Sequence, residues 1–260
     1  MVMAGHAEVS HPRVAVNSLS TASWTLEQDL ELYAELGVHT AAWYLAKLDD
    51  ASIEQIKASG IRAHHVFTNV DGTNVDRALD YAVELGAPWI AITSGPADGK
   101  DWDTAARSLE RLLAPFRDRG PGIAVEQTLP VRVEIGFVHS LRDSVDLAER
   151  LDLGVIVEAN YCFGERDLEA TLQRAGSRIA SVQVSDLVPP STVIPDRAVP
   201  GDGVIPLDRI VALTTAAGYA GPYEIELIGP RIEAEGYASA MRRSVAQMNR
   251  IAEMAPAIKQ

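Results

Sequence analysis

Cysteine is almost missing from this sequence, and basic residues are outnumbered. A single cysteine, Cys162, in 260 residues excludes an internal disulfide and suits a reducing compartment, so a cytoplasmic setting is expected. Lys and Arg number 23 against 36 Asp and Glu, leaving a formal net charge of -13. That balance argues against nucleic acid or an anionic membrane surface as the main partner. No apolar stretch approaches the length of a membrane span, and Met1–Pro12 lacks the apolar core of a signal peptide. No segment of distinct composition separates one part of the chain from another. What remains is 47% hydrophobic residues, enough to bury a large core as one domain, 1–260.

A single pattern then repeats: a short apolar run, a polar tip, and an amphipathic helix that ends at or near glycine. Arg13–Asn17 is the first run, and Thr25 caps a helix through Leu36 that Gly37 stops. Val38–Tyr44 precedes a helix over Ser52–Ser59. Ile61–Phe67 precedes a helix over Val75–Leu85 with Asn74 as its cap. Trp89–Thr93 precedes Trp102–Phe116. Gly122–Glu126 precedes a helix from the Ser140 cap to Leu151, and Gly154–Glu158 precedes Asp167–Ala175. Ile179–Ser185 precedes Leu207–Ala217, and Pro222–Leu227 precedes one last helix over Glu233–Met254. Eight such units predict an α/β fold, a single (β/α)8 barrel, with an open doubly wound sheet as the competitor.

In a barrel the polar residues that end the strands converge on one face. Here they are Glu126, Glu158, Gln183 and Glu226. A carboxylate in an apolar strand is costly unless paired or bound to a cation, and crowded carboxylates raise one another's proton affinity until a cation relieves them. Three acids and an amide oxygen suit a hard divalent ion, Mg²⁺ or Mn²⁺, better than Zn²⁺. The plainer readings are an ion pair of Glu126 with an arginine such as Arg132, a pairing of Glu158 outside the site, and a Gln183 that satisfies a neighbouring group. Of Glu224 and Glu226 only one is expected to face inward, and Glu226, nearer the strand end, is the choice.

The strand ends Ala124-Val125-Glu126, Val155–Glu158, Val182–Asp186 and Tyr223–Glu226, with Arg197 and the turn Pro200-Gly201-Asp202-Gly203, resemble the xylose isomerase-like TIM barrel superfamily. That group includes sugar phosphate isomerases and epimerases, ketose 3-epimerases and inosose dehydratases. The resemblance implies a divalent metal held by Glu126, Glu158, Gln183 and Glu226. Glu158 stands where aspartate is usual, Gln183 where histidine is usual, and Tyr161 where a histidine often follows. It further implies proton transfer between Glu126 and Glu226 through a metal-stabilised enediolate. Arg197 would reach a substrate hydroxyl or phosphate, and His65, Tyr161, Trp24 and Asp186 are further candidates for lining the substrate.

Of His64 and His65, alternation sends only one inward. Ser94-Gly95 resembles a phosphate-holding tip, Cys162 reads as packing, and Leu187–Asp196 is a candidate lid. The expected activity is a metal-dependent isomerase or epimerase of a sugar-like carbonyl compound. The alternatives are a lyase on the same barrel and a catalytically silent ligand-binding barrel. A small-molecule carbohydrate-like substrate and a homo-oligomer, dimer or tetramer, complete the expectation.

Overall fold

Eight short strands rich in Val, Ile and Ala lie side by side in chain order, all parallel, and the eighth pairs with the first to close the ring. In this computed structural model residues 9–254 are described, so most of Met1–Pro12 lies outside the described residues. The strands are β1 (Val14–Asn17), β2 (Thr40–Tyr44), β3 (Arg62–Thr68), β4 (Trp89–Thr93), β5 (Gly122–Glu126), β6 (Gly154–Glu158), β7 (Ile179–Val184) and β8 (Tyr223–Ile225). The helices packed between and around them are α1 (Leu26–Glu35), α2 (Asp50–Ser59), α3 (Gly72–Leu85), α4 (Trp102–Leu113), α5 (Leu141–Leu151), α6 (Ala159–Cys162), α7 (Leu168–Ala175), α8 (Leu207–Ala216), α9 (Pro230–Glu235) and α10 (Tyr237–Met254). The result is a single (β/α)8 TIM barrel.

Local chemistry sets most boundaries. Thr25 opens α1 with a reciprocal capping box, its hydroxyl accepting from the Gln28 amide while the Gln28 side chain accepts from Thr25 N. Two helix starts differ from the sequence pattern. Asp49, not Ser52, opens α2, and Asp71, not Asn74, opens α3. In each case the earlier acid accepts an amide further on, that of Ser52, where the pattern starts the helix, or of Asn74, which it offers as the cap, and the helix begins earlier. The final helix is also interrupted. Gly236 takes φ +94 and separates α9 from α10, where the pattern predicts a single run. The short α6 has no signal in the pattern, and the Glu158 side chain caps it by accepting the Asn160 amide at 2.8 Å.

Two populations of apolar side chain result. The large one sits between strands and helices, where the outward residues of each strand meet the helix stripes. The small one fills the barrel itself with Phe67, Ala91, Ala124, Ile156 and Ala180. Trp89 reaches across the N-terminal end of the barrel because β5 and β6 both begin with glycine. A Cβ on Gly122 would lie 2.2 Å from the Trp89 ring, and one on Gly154 2.8 Å. Small residues inside the barrel leave the C-terminal half free for polar groups, and that is where the strand-end residues gather.

Candidate active site

Register places the candidates at related heights. Glu158 is opposite Gln183 and Gln183 opposite Glu224, while Glu126 lies opposite Ile156, one inward step below Glu158. Glu126, Glu158, Gln183 and Glu226 are all buried, with 6% exposure for Glu126 and none for Glu158. They converge as the strand pattern required. Glu224 converges with them, which corrects the choice between the two β8 glutamates. Residues two apart on a strand share a face, so both glutamates point into the barrel.

Glu224 lies deeper and is the hub of a buried network. Its Oε2 faces His65 Nε2 at 2.6 Å and accepts from Ser181 Oγ at 2.7 Å, while its Oε1 accepts from Asn17 Nδ2 at 2.6 Å. The His65 side chain beside it, with these donors, overcomes burial and brings Glu224 down to about 2. His65 is therefore the inward histidine of its pair, but it contacts Glu224 rather than the cavity. His64 faces away, and burial lowers it to about 4.

Glu226 sits one step nearer the mouth. Its Oε2 accepts from Gln183 Nε2 at 2.7 Å and from Asn17 Nδ2 at 2.8 Å. Its Oε1 lies 2.9 Å from Arg197 Nη1, and the same nitrogen lies 2.8 Å from Glu158 Oε2. Arg197 is 2% exposed. It also donates from Nη1 to the Glu226 carbonyl at 3.2 Å and from Nη2 to the Tyr161 hydroxyl at 3.2 Å. Burial pushes Glu226 up to about 8 against the pull of Arg197, and burial likewise raises Glu158. Among the described residues Glu126 has no ion-pair partner. Burial first, then the neighbouring Glu226 and Glu158, hold it well above the usual carboxylate range, and its Oε2 has no partner.

The long β7 loop explains how Arg197 arrives. Asp186 and Ala198 exchange backbone hydrogen bonds at 2.8 Å each, and the Arg197 amide donates to Ile228 O at 2.9 Å. Asp186 then clasps the returning turn. Its carboxylate accepts from the amides of Leu187, Gly201, Gly203 and Ile205 at 2.8 to 2.9 Å. Gly203 must be glycine here, since a Cβ would lie 2.2 Å from Leu187 O. Asp186 therefore belongs to the loop and not to the substrate surface, because its oxygens are already committed. Pro195, from the segment read as a lid, lines the cavity beside Arg197.

The mouth above these groups is a cavity of about 270 Å³, bounded by Glu126, Arg197, Glu226 and Tyr161 together with apolar walls from Tyr44 and Phe67. Its volume sits near the lower end of small-molecule sites, roughly 300–1,000 Å³. Trp24 is not among its walls; it packs edge-on against Tyr237 at 5.8 Å. Arg132 lines it but pairs with Glu134 rather than Glu126. Ser94 is committed elsewhere, its hydroxyl accepting from the amides of Phe137 and Val138 at 2.9 and 3.1 Å. Cys162 is fully buried and burial pushes its thiol up, as a packing residue requires.

A divalent ion at the meeting point would need free lone pairs aimed at one centre. Arg197 Nη1 stands as an ion-pair partner between Glu158 and Glu226, and the Gln183 amide presents its nitrogen to Glu226, while Glu126 Oε2, Glu158 Oε2 and Gln183 Oε1 accept no hydrogen bond. Among the described residues no group of three or more His, Cys, Asp or Glu is arranged to hold a metal ion. The expected set of four side chains comes together, with a guanidinium nitrogen between Glu158 and Glu226. Asn17, Ser181 and Glu224 are the site residues that strand-end reading missed. Asn17 carried a usable signal, since it ends an apolar strand as Glu126 does.

Comparison with known proteins bears on the fold that carries these residues. A protein of Sinorhizobium meliloti superposes with a TM-score of 0.81 at 22% identity, over 92% of this chain and 98% of that one. The IolI protein with a binding zinc atom gives 0.76 at 15% identity, over 94% and 99%. A D-allulose 3-epimerase from Methylomonas sp. gives 0.69 at 14%, over 95% and 99%. At such identities the likeness establishes the fold alone. No curated protein matches the sequence. No helix among the described residues is long and apolar enough to cross a membrane. Residues 30–248 match the model of the xylose isomerase-like TIM barrel, and the chain belongs to that family.

Proposed function

We propose that the chain is an isomerase or epimerase of a small polyhydroxylated carbonyl compound, working by proton transfer next to the carbonyl. The supporting observation is Glu126, a buried carboxyl at the cavity with one oxygen unpartnered and a proton affinity well above that of an ordinary glutamate. A group tuned upward in this way is a stronger base when ionised and remains an effective acid when protonated. In the proposed reaction Glu126 takes the proton from the carbon beside the carbonyl. The electrons of that C–H bond form the enediolate, and a proton returned to carbon completes the exchange. Glu226 is the second proton-transfer group.

Arg197 supplies the fixed positive charge for the developing oxyanion, and the Tyr161 hydroxyl shares its guanidinium. Preorganised donors in a site this buried act with little screening by water. Family membership supports the reaction class, since an allulose epimerase and an L-ribulose 3-epimerase share the fold. No step in this reading passes through a divalent ion. The apolar walls contributed by Tyr44, Phe67, Leu129 and Ile228 favour a second reading, a lyase that begins with the same proton abstraction from a substrate carrying an apolar group.

The test is incubation of candidate ketoses with the enzyme in deuterated water. Deuterium gained at the carbon beside the carbonyl, with no other change in composition, supports the isomerase. Loss of water or of an apolar leaving group supports the lyase. A panel of sugars and keto-sugars left unlabelled and intact removes the proposal.

A further inference from the structure

The geometry points to a site whose cation is built into the chain: the Arg197 guanidinium takes the place a divalent metal ion would occupy, and the protein binds no such ion there. This stands apart from which reaction is catalysed, because ion binding is measured without turnover.

Three independent arrangements carry it. The first is the position of Arg197 Nη1, 2.8 Å from Glu158 Oε2 and 2.9 Å from Glu226 Oε1. Those are close ion-pair distances, although Glu158 Oε2 accepts no hydrogen bond, whereas oxygen ligands approach Mg²⁺, Mn²⁺ or Zn²⁺ to roughly 2.0–2.2 Å. An ion shared by β6 and β8 would have to displace this nitrogen.

The second is the orientation of the neutral groups. Gln183 and Asn17 both direct an amide nitrogen at Glu226 Oε2, and Gln183 Nε2 also lies 3.3 Å from Glu224 Oε1. These are donors to a carboxylate, the opposite of what a ligand does. Turning the Gln183 amide to offer its oxygen would bring that oxygen against Glu226 Oε2, two acceptors at hydrogen-bond distance. The Gln183 Oε1 has no partner in the present arrangement. A histidine at this place would lack the second hydrogen of the amide, so glutamine is matched to a cluster organised by donors.

The third is the support beneath Arg197. A guanidinium held merely as a surface lid would be exposed and free to leave. This one is fixed on its backbone by Ile228 O, on its Nη1 by the Glu226 carbonyl, and on its face by the Tyr161 ring at 5.3 Å. The turn clasped by Asp186 braces the same loop. The Arg197 Nε is buried and unpartnered, leaving one N–H of the resident cation uncommitted at a residue that lines the cavity. Tyr161, whose ring lies over the guanidinium and whose hydroxyl accepts from Nη2, completes the set of residues that serve this arginine.

The test is equilibrium dialysis of the purified full-length chain against Mn²⁺ and Zn²⁺ after chelation, read by elemental analysis and by thermal unfolding. An ion present at a hundred times its dissociation constant would raise Tm by about 5–10 °C. The wild type is expected to retain no stoichiometric ion and to show no shift. The double variant Arg197→Met, Gln183→His removes the guanidinium and restores an imidazole, and is expected to take up about one ion per chain with a shift of that size. A wild-type chain that takes up one ion, lost in Glu226→Gln, overturns the inference, and so does a folded double variant that takes up none. Should the double variant not fold, the wild type decides through NMR. Arg197 side-chain resonances that stay sharp in paramagnetic Mn²⁺ support the inference, and their selective broadening overturns it.

Discussion

Removing the guanidinium while keeping the shape of the side chain is the sharpest perturbation available. In Arg197→Met, Glu158 and Glu226 lose the nitrogen at 2.8 and 2.9 Å that both of them face. Neither can recover it from water, since their side chains are 0% and 3% exposed. Breaking a buried pair in this way costs about 3–5 kcal/mol, because a charge is left uncompensated in a poorly solvating interior. The upper end is expected, because two carboxylates depend on one arginine. The pH dependence follows from the same cause. Without the cation both acids bind protons more tightly in the folded state than in the unfolded chain. Glu226 stands at about 8 even with the cation in place, so the deficit grows as pH rises through and beyond that point and shrinks as pH falls and the acids take up protons. Urea denaturation at pH 8.5 and pH 5.5 measures it. A companion cycle with Glu158→Gln should show coupling of about 1–3 kcal/mol, the double variant being more stable than the sum of the singles implies. A loss below about 1 kcal/mol at the higher pH, or additivity in the cycle, refutes the assignment of Arg197 as the neutralising centre.

Four further outcomes can be measured. Glu126→Gln should lower kcat by about 10²–10⁴ with little change in KM, and abolish deuterium incorporation, because the proton acceptor is lost while the cavity keeps its shape. His64, lowered to about 4 by burial, binds a proton more readily when unfolded. It therefore contributes nothing unfavourable above about pH 6.5, and its burial costs up to about 3 kcal/mol of stability as pH falls from 6.5 to 4. Comparing denaturation midpoints of wild type and His64→Phe across that window should show the variant losing less, while the raised carboxyls of Glu126, Glu158 and Glu226 act in the opposite sense in both. Gly122→Ala should cost about 1–3 kcal/mol by calorimetry, because the new Cβ meets the Trp89 ring at 2.2 Å, and should leave turnover unchanged at the far end of the barrel. Asp186→Ala strands four backbone amides, and limited proteolysis should then cut between residues 187 and 203, with activity falling alongside.

The family relation and the site geometry bear on each other. A barrel whose strand ends gather acids must neutralise them, either with a bound ion or with a cationic side chain of its own. Here the β7 loop is long enough to bring an arginine back over the centre of the barrel, where Ile228 and the Asp186 turn hold it. The same loop contributes Pro195 to the cavity wall, so the element that supplies the charge also shapes the space left for substrate.

Strand and helix order was legible in the chain because each unit is a local pattern: Val-Ala-Val-Asn, Gly-Ile-Ala-Val-Glu and Gly-Val-Ile-Val-Glu are apolar runs with polar ends, and glycines punctuate the helices. Barrel closure and the convergence of Glu126, Glu158, Gln183 and Glu226 follow from that order, since parallel strands deliver their C-terminal ends to one face. Local sequence also contained the fact that Glu224 and Glu226 share a side, two residues apart on one strand. Which groups neutralise which was decided only in three dimensions. Asn17 and Glu226 are 209 positions apart, and Arg197 reaches Glu158 across 39 residues and a loop whose path depends on Asp186. Hydrogen bonds and ion pairs act over a few ångströms of space whatever the separation along the chain, so the character of the site, a guanidinium and two amide donors set among carboxylates, came from the tertiary structure alone.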